Sequence, residues 1–216
     1  MSDKISPNNA YSKEWEWFQQ NNNLTDSQIE KFKTYYNLLF EWNDKINITR
    51  IIELDDVLNY HFADSLVLSN YVDLTKFNSI ADVGTGGGFP GIPLKIKYPH
   101  LKVTLIEVVG KKVMFLEEVI KQLDLDDIDV LQVDWRTFLR TNKEQIQLFC
   151  ARASLQILEL LRLFRPSTDY QHSSLVYWAS NLWIPLSNEE PFVDKEISYA
   201  VGDKKRKLIF FKSNLN

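Results

Sequence analysis

Apolar residues in the first part of the chain recur every three or four positions, which is the spacing of one face of an α-helix. The longest such run follows the segment TDSQ, where Thr25 and Gln28 can form a capping box at a helix start. Its apolar positions are Ile29, Phe32, Tyr36, Leu39, Trp42 and Ile46. The pattern predicts a long amphipathic helix.

Two further helical segments are expected around this one. The stretch DDVLNYHFADSLVLSNYV has a helical pattern, and Asp55 and Asp56 suit the positive end of its helix dipole. Residues 1–23 are polar and loosely patterned, but the aromatic residues in WEWF can pack a short helix onto the body. We therefore expect a helical N-terminal lobe over residues 1–75.

From about residue 78 the pattern changes to short apolar runs that alternate with helical ones. The strand-like runs are NSIADV, KVTLIEV, DIDVLQVD and IQLFCARA, and the helical runs between and after them are GIPLKIKY, KKVMFLEEVIKQL, WRTFLR and SLQILELLRLF. Alternation of this kind predicts βαβ units and a mostly parallel sheet with helices on both faces. The last two runs, KEISYAV and RKLIFF, are joined only by GDKK, which is too short for a parallel crossover, so they should form an antiparallel hairpin. This α/β domain is expected over residues 76–216.

Composition narrows the class of protein without naming a function. The 216 residues are 44% hydrophobic and 25% charged, as in ordinary globular proteins, and the single cysteine excludes an internal disulfide and an all-cysteine metal site. No signal peptide and no bilayer-spanning run is recognisable, so we expect a soluble, cytoplasmic protein. The net charge of −4 argues against a generally cationic nucleic-acid-binding surface. The basic run KKRK near the C-terminus is either a solvated loop or a local contact for RNA.

Five of the seven glycines lie in the segment GTGGGFPG, directly after the first predicted strand. Glycines such as Gly84 permit positive φ and let backbone N–H groups approach a ligand closely. Ligands of open α/β sheets bind at the carboxyl ends of the strands, so the segment predicts a nucleoside-binding loop. Because Gly86, Gly88 and Gly91 also match G-x-G-x-x-G, a dinucleotide is one candidate ligand.

Other residues of the loop favour S-adenosylmethionine (SAM) over a dinucleotide. Asp82 would be an unfavourable neighbour for a pyrophosphate but can face the cationic groups of SAM, unless it only caps the backbone of the loop. Pro90 and Pro93 remove N–H donors that a phosphate would need. Glu107 follows Gly84 by 23 positions, at the end of the second predicted strand, where it can accept hydrogen bonds from ribose hydroxyls of either cofactor.

Three longer segments carry a resemblance to a known family. The segments LFEWNDKINIT, HFADSL and IADVGTGGGFPGIPLKIKYPHLKVTLIEVVGKKVMFLEEV resemble the RsmG (GidB) family, and GFPGIPL after DVGTG is the most specific part. Members are SAM-dependent methyltransferases that modify N7 of a guanosine in the 530 loop of small-subunit (16S) ribosomal RNA. The resemblance implies a class I, Rossmann-like methyltransferase fold. It also implies 16S rRNA or the small ribosomal subunit as partner, without a metal or a membrane.

The resemblance also implies roles for individual residues. Cofactor contacts are expected at Gly84 and Phe89 in the loop, at Trp135 and Arg136 after the third strand, and at Arg152 after the fourth. The pair after the third strand is expected to act through its backbone near the adenine. Arg152 can clamp the methionine carboxylate or the RNA backbone, or else form a structural salt bridge.

Substrate contacts are expected from both ends of the chain. Asn47 and His61 match polar family positions at the active-site mouth, although His61 can equally be a hydrogen-bonded core histidine. The run KKRKLIFFK resembles the end of the family pattern, and its Lys204, Lys205 and Lys207 would contact RNA phosphates and make binding salt-dependent.

The C-terminal third departs from the family pattern. The family usually has LKPGG followed by a strand reaching LKG with a lysine near the site, but this chain has FRPSTDY and LVYWAS. A changed target, a binding-only descendant and a small-molecule methyltransferase therefore stay open as alternatives. An NAD-linked oxidoreductase is the least favoured, because the second half of the chain offers only His172 as a candidate acid.

No general base is required for methyl transfer to guanine N7, because this atom carries a lone pair and no proton. We therefore assign no catalytic residue, and expect catalysis to depend on the alignment of the nucleophile with the sulfonium methyl group. Asp64 can stabilise the positive charge that passes to the purine, or can form a hydrogen bond within the helical lobe.

Overall fold

The N-terminal helices of this computed structural model, which describes residues 12–213, follow the sequence pattern closely. They are α1 (Ser12–Asn21) and α2 (Asp26–Ile46). The predicted capping box is present, because Thr25 Oγ1 accepts from the Gln28 N–H and Gln28 Oε1 accepts from the Thr25 N–H at 2.9 Å. The prediction of a long capped helix is confirmed. The first 11 residues of the expected N-terminal lobe lie outside the described part of the chain.

The second predicted helix is not a regular α-helix. It begins as α3 (Leu54–Val57), widens into a π-helix (Leu58–Ala63), and continues as α4 (Asp64–Leu66) and a 3₁₀ turn (Val67–Asn70). Apolar periodicity cannot distinguish these forms, which differ only in which carbonyl each N–H reaches. Wide turns of this kind are frequent at functional sites.

In the described part of the chain, seven strands form one sheet. They are β1 (Ser79–Val83), β2 (Lys102–Ile106), β3 (Ile128–Leu131), β4 (Leu148–Arg152), β5 (Ser174–Ser180), β6 (Val193–Val201) and β7 (Lys204–Phe211). Their order is β3-β2-β1-β4-β5-β7-β6, with β1 to β5 parallel and β7 antiparallel to both of its neighbours. The predicted mostly parallel sheet with an antiparallel C-terminal hairpin is confirmed. The strand order reverses between β1 and β4, which places the ligand crevice at their carboxyl ends.

Helices cover both faces of the sheet. They are α5 (Gly91–Lys97), α6 (Gly110–Gln122), α7 (Trp135–Thr141) and α8 (Ile157–Leu160), the last extended by a 3₁₀ turn (Leu161–Phe164). Alternate residues of a strand serve opposite faces, so Cys150 joins the cluster under the N-terminal helices while Phe149 joins the cluster under α7 and α8. Because Phe32 and Phe62 lie in the same cluster as Cys150, the N-terminal helices share one hydrophobic core with this face of the sheet. The domain boundary at residue 75 stays a prediction.

The described residues include no helix that combines the length and the apolar character needed to cross a bilayer.

Candidate active site

The glycine loop between β1 and α5 leaves no room for side chains at several positions, of which Gly84 and Gly91 are two. Gly84 has a φ of 65°, and a Cβ atom placed on it would lie 2.5 Å from the Ser154 Cβ atom. A Cβ atom on Gly91 would lie 2.4 Å from Leu105 Cδ2. Glycine is therefore required because the loop passes close to the residues that follow β4 and to strand β2.

Asp82 is fully buried at the end of β1, and its side chain anchors the glycine loop by hydrogen bonds. Its Oδ2 atom accepts hydrogen bonds from the Thr85 hydroxyl at 2.6 Å and from the Gly91 N–H at 2.8 Å. This is the loop-capping arrangement that the sequence left open for Asp82. Burial raises the pKa of the Asp82 carboxyl to about 6.

Glu107 connects the same loop to the end of β2. Its Oε2 atom accepts from the Gly86 N–H at 2.9 Å, and its Oε1 atom accepts from the N–H groups of Val108 and Val109, each at 2.9 Å. A carboxylate oxygen can accept two hydrogen bonds, so Oε1 is filled and Oε2 keeps capacity for one ribose hydroxyl. The carboxylate lies where the sequence places the ribose contact.

Two unpaired polar atoms indicate where a ligand would bind. Asp82 Oδ1 and Ser154 Oγ are buried and have no hydrogen-bond partner in the structure, and both residues lie beside Gly84. Buried polar side-chain atoms are normally hydrogen-bonded, so such a pair calls for a partner. SAM fits this site, because its cationic groups suit the Asp82 carboxylate and its ribose suits Glu107.

Phe89 points away from the loop and into the helical lobe. Its ring is 5% exposed and stacks on the His61 ring, with centroids 4.4 Å apart and planes 6° from parallel. Tyr35 stacks on Phe89 with centroids 5.4 Å apart, and the Arg152 guanidinium lies 5.1 Å from its centroid. Any contact of Phe89 with the cofactor would therefore involve its backbone.

Asp64 is the centre of a polar cluster that ties α4 to the second half of the sheet. The side chain is fully buried, and its Oδ2 atom lies 2.9 Å from Arg152 Nη1 and 3.4 Å from Arg206 Nη1. The Tyr199 hydroxyl donates to Oδ1 at 2.7 Å, and the Trp178 indole donates to the backbone oxygen at 2.8 Å. These four partners come from β4, β7, β6 and β5. We call these five residues the Asp64 cluster.

The pairing with Asp64 fixes the orientation of the Arg152 side chain. Its guanidinium pairs with Asp64 and also donates to the backbone oxygen of Tyr60 at 3.1 Å. This is the structural salt bridge named as the alternative to a cofactor clamp. Sequence reasoning did not connect Arg206, Tyr199 or Trp178 with Asp64, since nothing local in the sequence links them.

His61 lies between Arg152 and Thr49 as a neutral ring. Its Nδ1 atom is 3.3 Å from Arg152 Nη2, and its Nε2 atom is 2.9 Å from Thr49 Oγ1. Arginine can only donate, so Nδ1 accepts and the proton is on Nε2. Burial and the charge of Arg152 lower the pKa of His61 to about 3. His61 is thus a hydrogen-bonded histidine of the lobe interface.

Trp135 and Arg136 turn their side chains toward α8. The Trp135 indole donates to the Glu159 backbone oxygen at 2.9 Å, and Arg136 forms a two-pronged ion pair with Glu159 at 2.6 and 2.9 Å. Hydrogen bonds from Arg136 and Arg162 help lower the pKa of Glu159 to about 2. Both side chains are thus engaged with Glu159, and the backbone contact with the adenine that the resemblance implies for Trp135 and Arg136 stays a prediction.

Asn47 ends α2 beside the glycine loop. It adopts a left-handed conformation with a φ of 50°, and its side chain is exposed. The next residue, Ile48, packs so closely on Gly87 that a Cβ atom there would lie 2.9 Å from Ile48 Cγ2. The end of α2 therefore lies at the mouth of the loop.

A cleft of about 470 Å³ opens beside the carboxyl end of β4. We call it the cationic cleft, because Arg152, Lys204, Lys205 and Arg206 line it together with residues 177–180. The basic run is thus part of strand β7 and not a solvated loop. Lys207 is held outside the cleft by Glu196 Oε2 at 3.0 Å and the Trp183 backbone oxygen at 3.1 Å.

Comparison with known proteins identifies the family. The sequence profile described as "GidB: rRNA small subunit methyltransferase G" matches residues 28–200. The chain belongs to this family. A protein named Ribosomal RNA small subunit methyltransferase G from Listeria monocytogenes serotype 4b is 38% identical over 169 residues, which are 77% of this chain and 71% of that protein. A protein of the same name from Staphylococcus aureus strain JH9 is 40% identical over 149 residues, which are 68% of this chain and 62% of that one.

Solved structures with low sequence identity share the fold. A putative O-methyltransferase from Klebsiella pneumoniae aligns with a TM-score of 0.58 at 13% identity and covers 83% of this chain and 90% of its own. A variant of MtNAS solved with S-adenosylmethionine aligns with a TM-score of 0.54 at 16% identity and covers 92% of this chain and 84% of its own. The predictions of the GidB family, of the methyltransferase fold and of SAM as cofactor are confirmed. The family match also favours a methyltransferase over the NAD-linked alternative.

Proposed function

We propose that this rRNA methyltransferase transfers the methyl group of SAM to N7 of a guanosine in the 530 loop of 16S rRNA, in the cytoplasm. The main observation that supports this proposal is the position of the cationic cleft. Ala153 lines it, and the next residue, Ser154, packs against Gly84 in the cofactor loop. A nucleotide in the cleft would therefore lie beside the proposed cofactor.

The proposed cofactor site consists of the glycine loop and the ends of three strands. Asp82 and Ser154 would hold the polar groups of the methionine part, and Glu107 would hold the ribose. Gly84 and Gly86 provide a surface that the cofactor can approach closely. The backbone of Phe89 and of residues 135–136 would complete the site near the adenine, and Arg152 would support it from the Asp64 cluster without a direct contact.

The chemistry proposed for this site is compatible with its titratable groups. Guanine N7 attacks the methyl carbon of the sulfonium without losing a proton, so no general base takes part. His61, the histidine nearest to the loop, carries its proton on Nε2 toward Thr49 and has a pKa far below neutral. What the site must supply is alignment of N7 with the methyl carbon, and such positioning contributes up to about 7–11 kcal/mol in well-oriented systems.

The decisive experiment uses small ribosomal subunits from cells that lack the modification. The protein is incubated with methyl-labelled SAM and these subunits, and chain cleavage at N7-methylguanosine then maps the label. Label at one guanosine of the 530 loop is the expected result. Label elsewhere in the RNA would identify a changed target. SAM binding without any label would favour a binding-only protein, and label only on small molecules would overturn the RNA substrate.

Substitutions of the lysines in β7 test RNA binding independently of cofactor binding. Lys204 and Lys205 line the cationic cleft, whereas Lys207 is engaged with Glu196. We expect Lys205→Ala to lower the salt dependence of RNA binding by about one counterion, with unchanged SAM affinity. Lys207→Ala is the matched control, since it removes the same charge from the same strand outside the cleft. Equal salt slopes for all three proteins would argue against RNA binding in the cleft.

A further inference from the structure

Helix α1 exposes one large aromatic residue that does not pack into the hydrophobic core. Trp15 and Phe18 pack into the body at 4% and 0% exposure, as the sequence predicts for the WEWF segment, but Trp17 is 46% exposed. A single exposed apolar residue needs no explanation by itself. Its surroundings decide whether it has a role.

Trp17 lines a second cleft, of about 420 Å³, between α1, the π-helix and the turn before β7. Four asparagines, Asn21, Asn22, Asn59 and Asn70, line the same cleft, and none of the described residues that line it is charged. We call it the asparagine cleft. An indole beside neutral amides suits a flat ring with polar edges and is unsuited to a phosphate.

The amide groups have a defined orientation. The Nδ2 atoms of Asn21, Asn22 and Asn59 donate to backbone oxygens four residues earlier, at 2.8, 2.9 and 2.8 Å. A carbonyl can only accept, so these three nitrogens are fixed in place and the Oδ1 atoms are left as acceptors. Each of these amides also keeps a second N–H group, so the cleft suits a ligand whose edge carries both hydrogen-bond donors and acceptors.

The asparagine cleft adjoins the cationic cleft. Gly202 lines the first, and a Cβ atom on it would lie 3.0 Å from the Tyr60 ring. The ammonium of Lys204, which lines the second cleft, lies 3.5 Å from the centroid of that ring. Tyr60 thus lies close to a lining residue of each cleft, and one single strand could reach both.

From these observations we infer that the asparagine cleft binds an unpaired nucleobase of the RNA substrate, next to the target nucleotide. Trp17 stacks on the base, and the asparagine oxygens accept from its amino or imino groups. Unpaired bases in RNA are commonly recognised by such stacking and edge contacts. This inference rests on the proposed function, because it assumes that RNA occupies the neighbouring cationic cleft.

The test compares Trp17→Ala and Trp17→Phe with Phe40→Ala. Phe40 is a matched control, because it is also 46% exposed but does not line the asparagine cleft. The measured quantities are the dissociation constants for unmodified small subunits and for a protein-free hairpin RNA containing the 530 loop. SAM affinity and the thermal midpoint show whether the variants are folded.

We expect Trp17→Ala to weaken binding of both RNAs about five- to 150-fold, the range found for loss of one base–aromatic stack. Trp17→Phe should recover part of the loss, and Phe40→Ala and the SAM affinity of every variant should match the parent. Equal affinities of Trp17→Ala and Phe40→Ala overturn the inference, as does a parent that binds neither RNA. A loss seen with subunits but not with the hairpin would assign the cleft to a ribosomal protein. Methylation by the parent reports separately on the proposed function.

Discussion

The hydrogen bonds on the two sides of the active site join residues at very different separations in sequence. On the cofactor side, the hydrogen bonds from Thr85 and Gly91 to Asp82 and from Gly86 to Glu107 span 3, 9 and 21 positions of sequence. On the other side, the bonds from Arg152, Trp178 and Tyr199 to Asp64 span 88, 114 and 135 positions. One side is a local loop that strands β1 and β2 hold in place. The other exists only when the whole sheet has formed.

The two sides also use different chemistry. The cofactor loop is held mainly by backbone N–H groups that donate to two carboxylates, so its shape depends on glycine geometry. The Asp64 cluster places one buried carboxylate against two arginines, so its shape depends on charge balance. Changes on the first side should act on the cofactor, whereas changes on the second should act on the fold and on the cationic cleft.

Asp64→Asn should have the largest effect on stability. Breaking a buried ion pair typically costs 3–5 kcal/mol. The side chain of Arg206 is 25% exposed, so we expect about 3 kcal/mol less free energy of unfolding, measured by denaturant titration. Glu196→Gln, which breaks the more exposed pair with Lys207, should cost less than about 1 kcal/mol. Equal losses in the two variants would show that the cluster adds nothing beyond a surface ion pair.

Gly84→Ala should act on the cofactor side. The new Cβ atom would meet Ser154 at 2.5 Å, in a left-handed conformation that itself costs about 1–2 kcal/mol. We expect SAM affinity to fall about thirtyfold, measured by calorimetry. Gly110→Ala is the control, because its Cβ atom would meet only the mobile end of Gln132, at 3.2 Å. A Gly84→Ala protein with parental affinity would exclude close cofactor approach at this loop.

The pH dependence of stability should reveal the titration of His61, which contacts both Phe89 of the glycine loop and Arg152 of the Asp64 cluster. Its pKa of about 3 in the folded protein lies below the ordinary value of 6.5, so the unfolded chain takes up the proton first. The stability contributed by neutral His61 is complete above pH 6.5 and is lost as the pH falls toward 3. Between pH 6.5 and 5.5 we expect the parent to lose about 1 kcal/mol more than His61→Gln.

The raised pKa of Asp82 changes the pH dependence of stability in the opposite direction to His61, and this residue serves as an internal reference. Its pKa is raised to about 6, so its contribution is complete below the ordinary value of 3.8 and is lost as the pH rises through 6. Because Asp82 is present in both proteins, its effect cancels in the difference between the parent and His61→Gln. Parallel stability curves for the two proteins would contradict a neutral, buried His61.

The difference in sequence separation explains what the sequence could predict. The capping box at Thr25, the antiparallel C-terminal hairpin and the glycine loop follow from spacing within short segments, and all of them are present. The Asp64 cluster could not be predicted, because its members are neighbours only after β4, β5, β6 and β7 have paired. The same holds for the ion pair of Arg152, which is the last residue of β4 and whose partner Asp64 lies in α4.

Arg136→Ala should have the smallest effect and tests how far family-based assignments extend. The Arg136 side chain is 65% exposed and pairs with Glu159 on α8, so its loss should cost less than about 1 kcal/mol of stability. SAM affinity should stay within twofold of the parent, because the Arg136 side chain is paired with Glu159 in the structure. Glu159→Gln should cause a similar loss, and the double variant should add little to either. A tenfold loss of SAM affinity in Arg136→Ala alone would instead show that this side chain leaves Glu159 when the cofactor binds, and that the cofactor side is less local than its hydrogen bonds indicate.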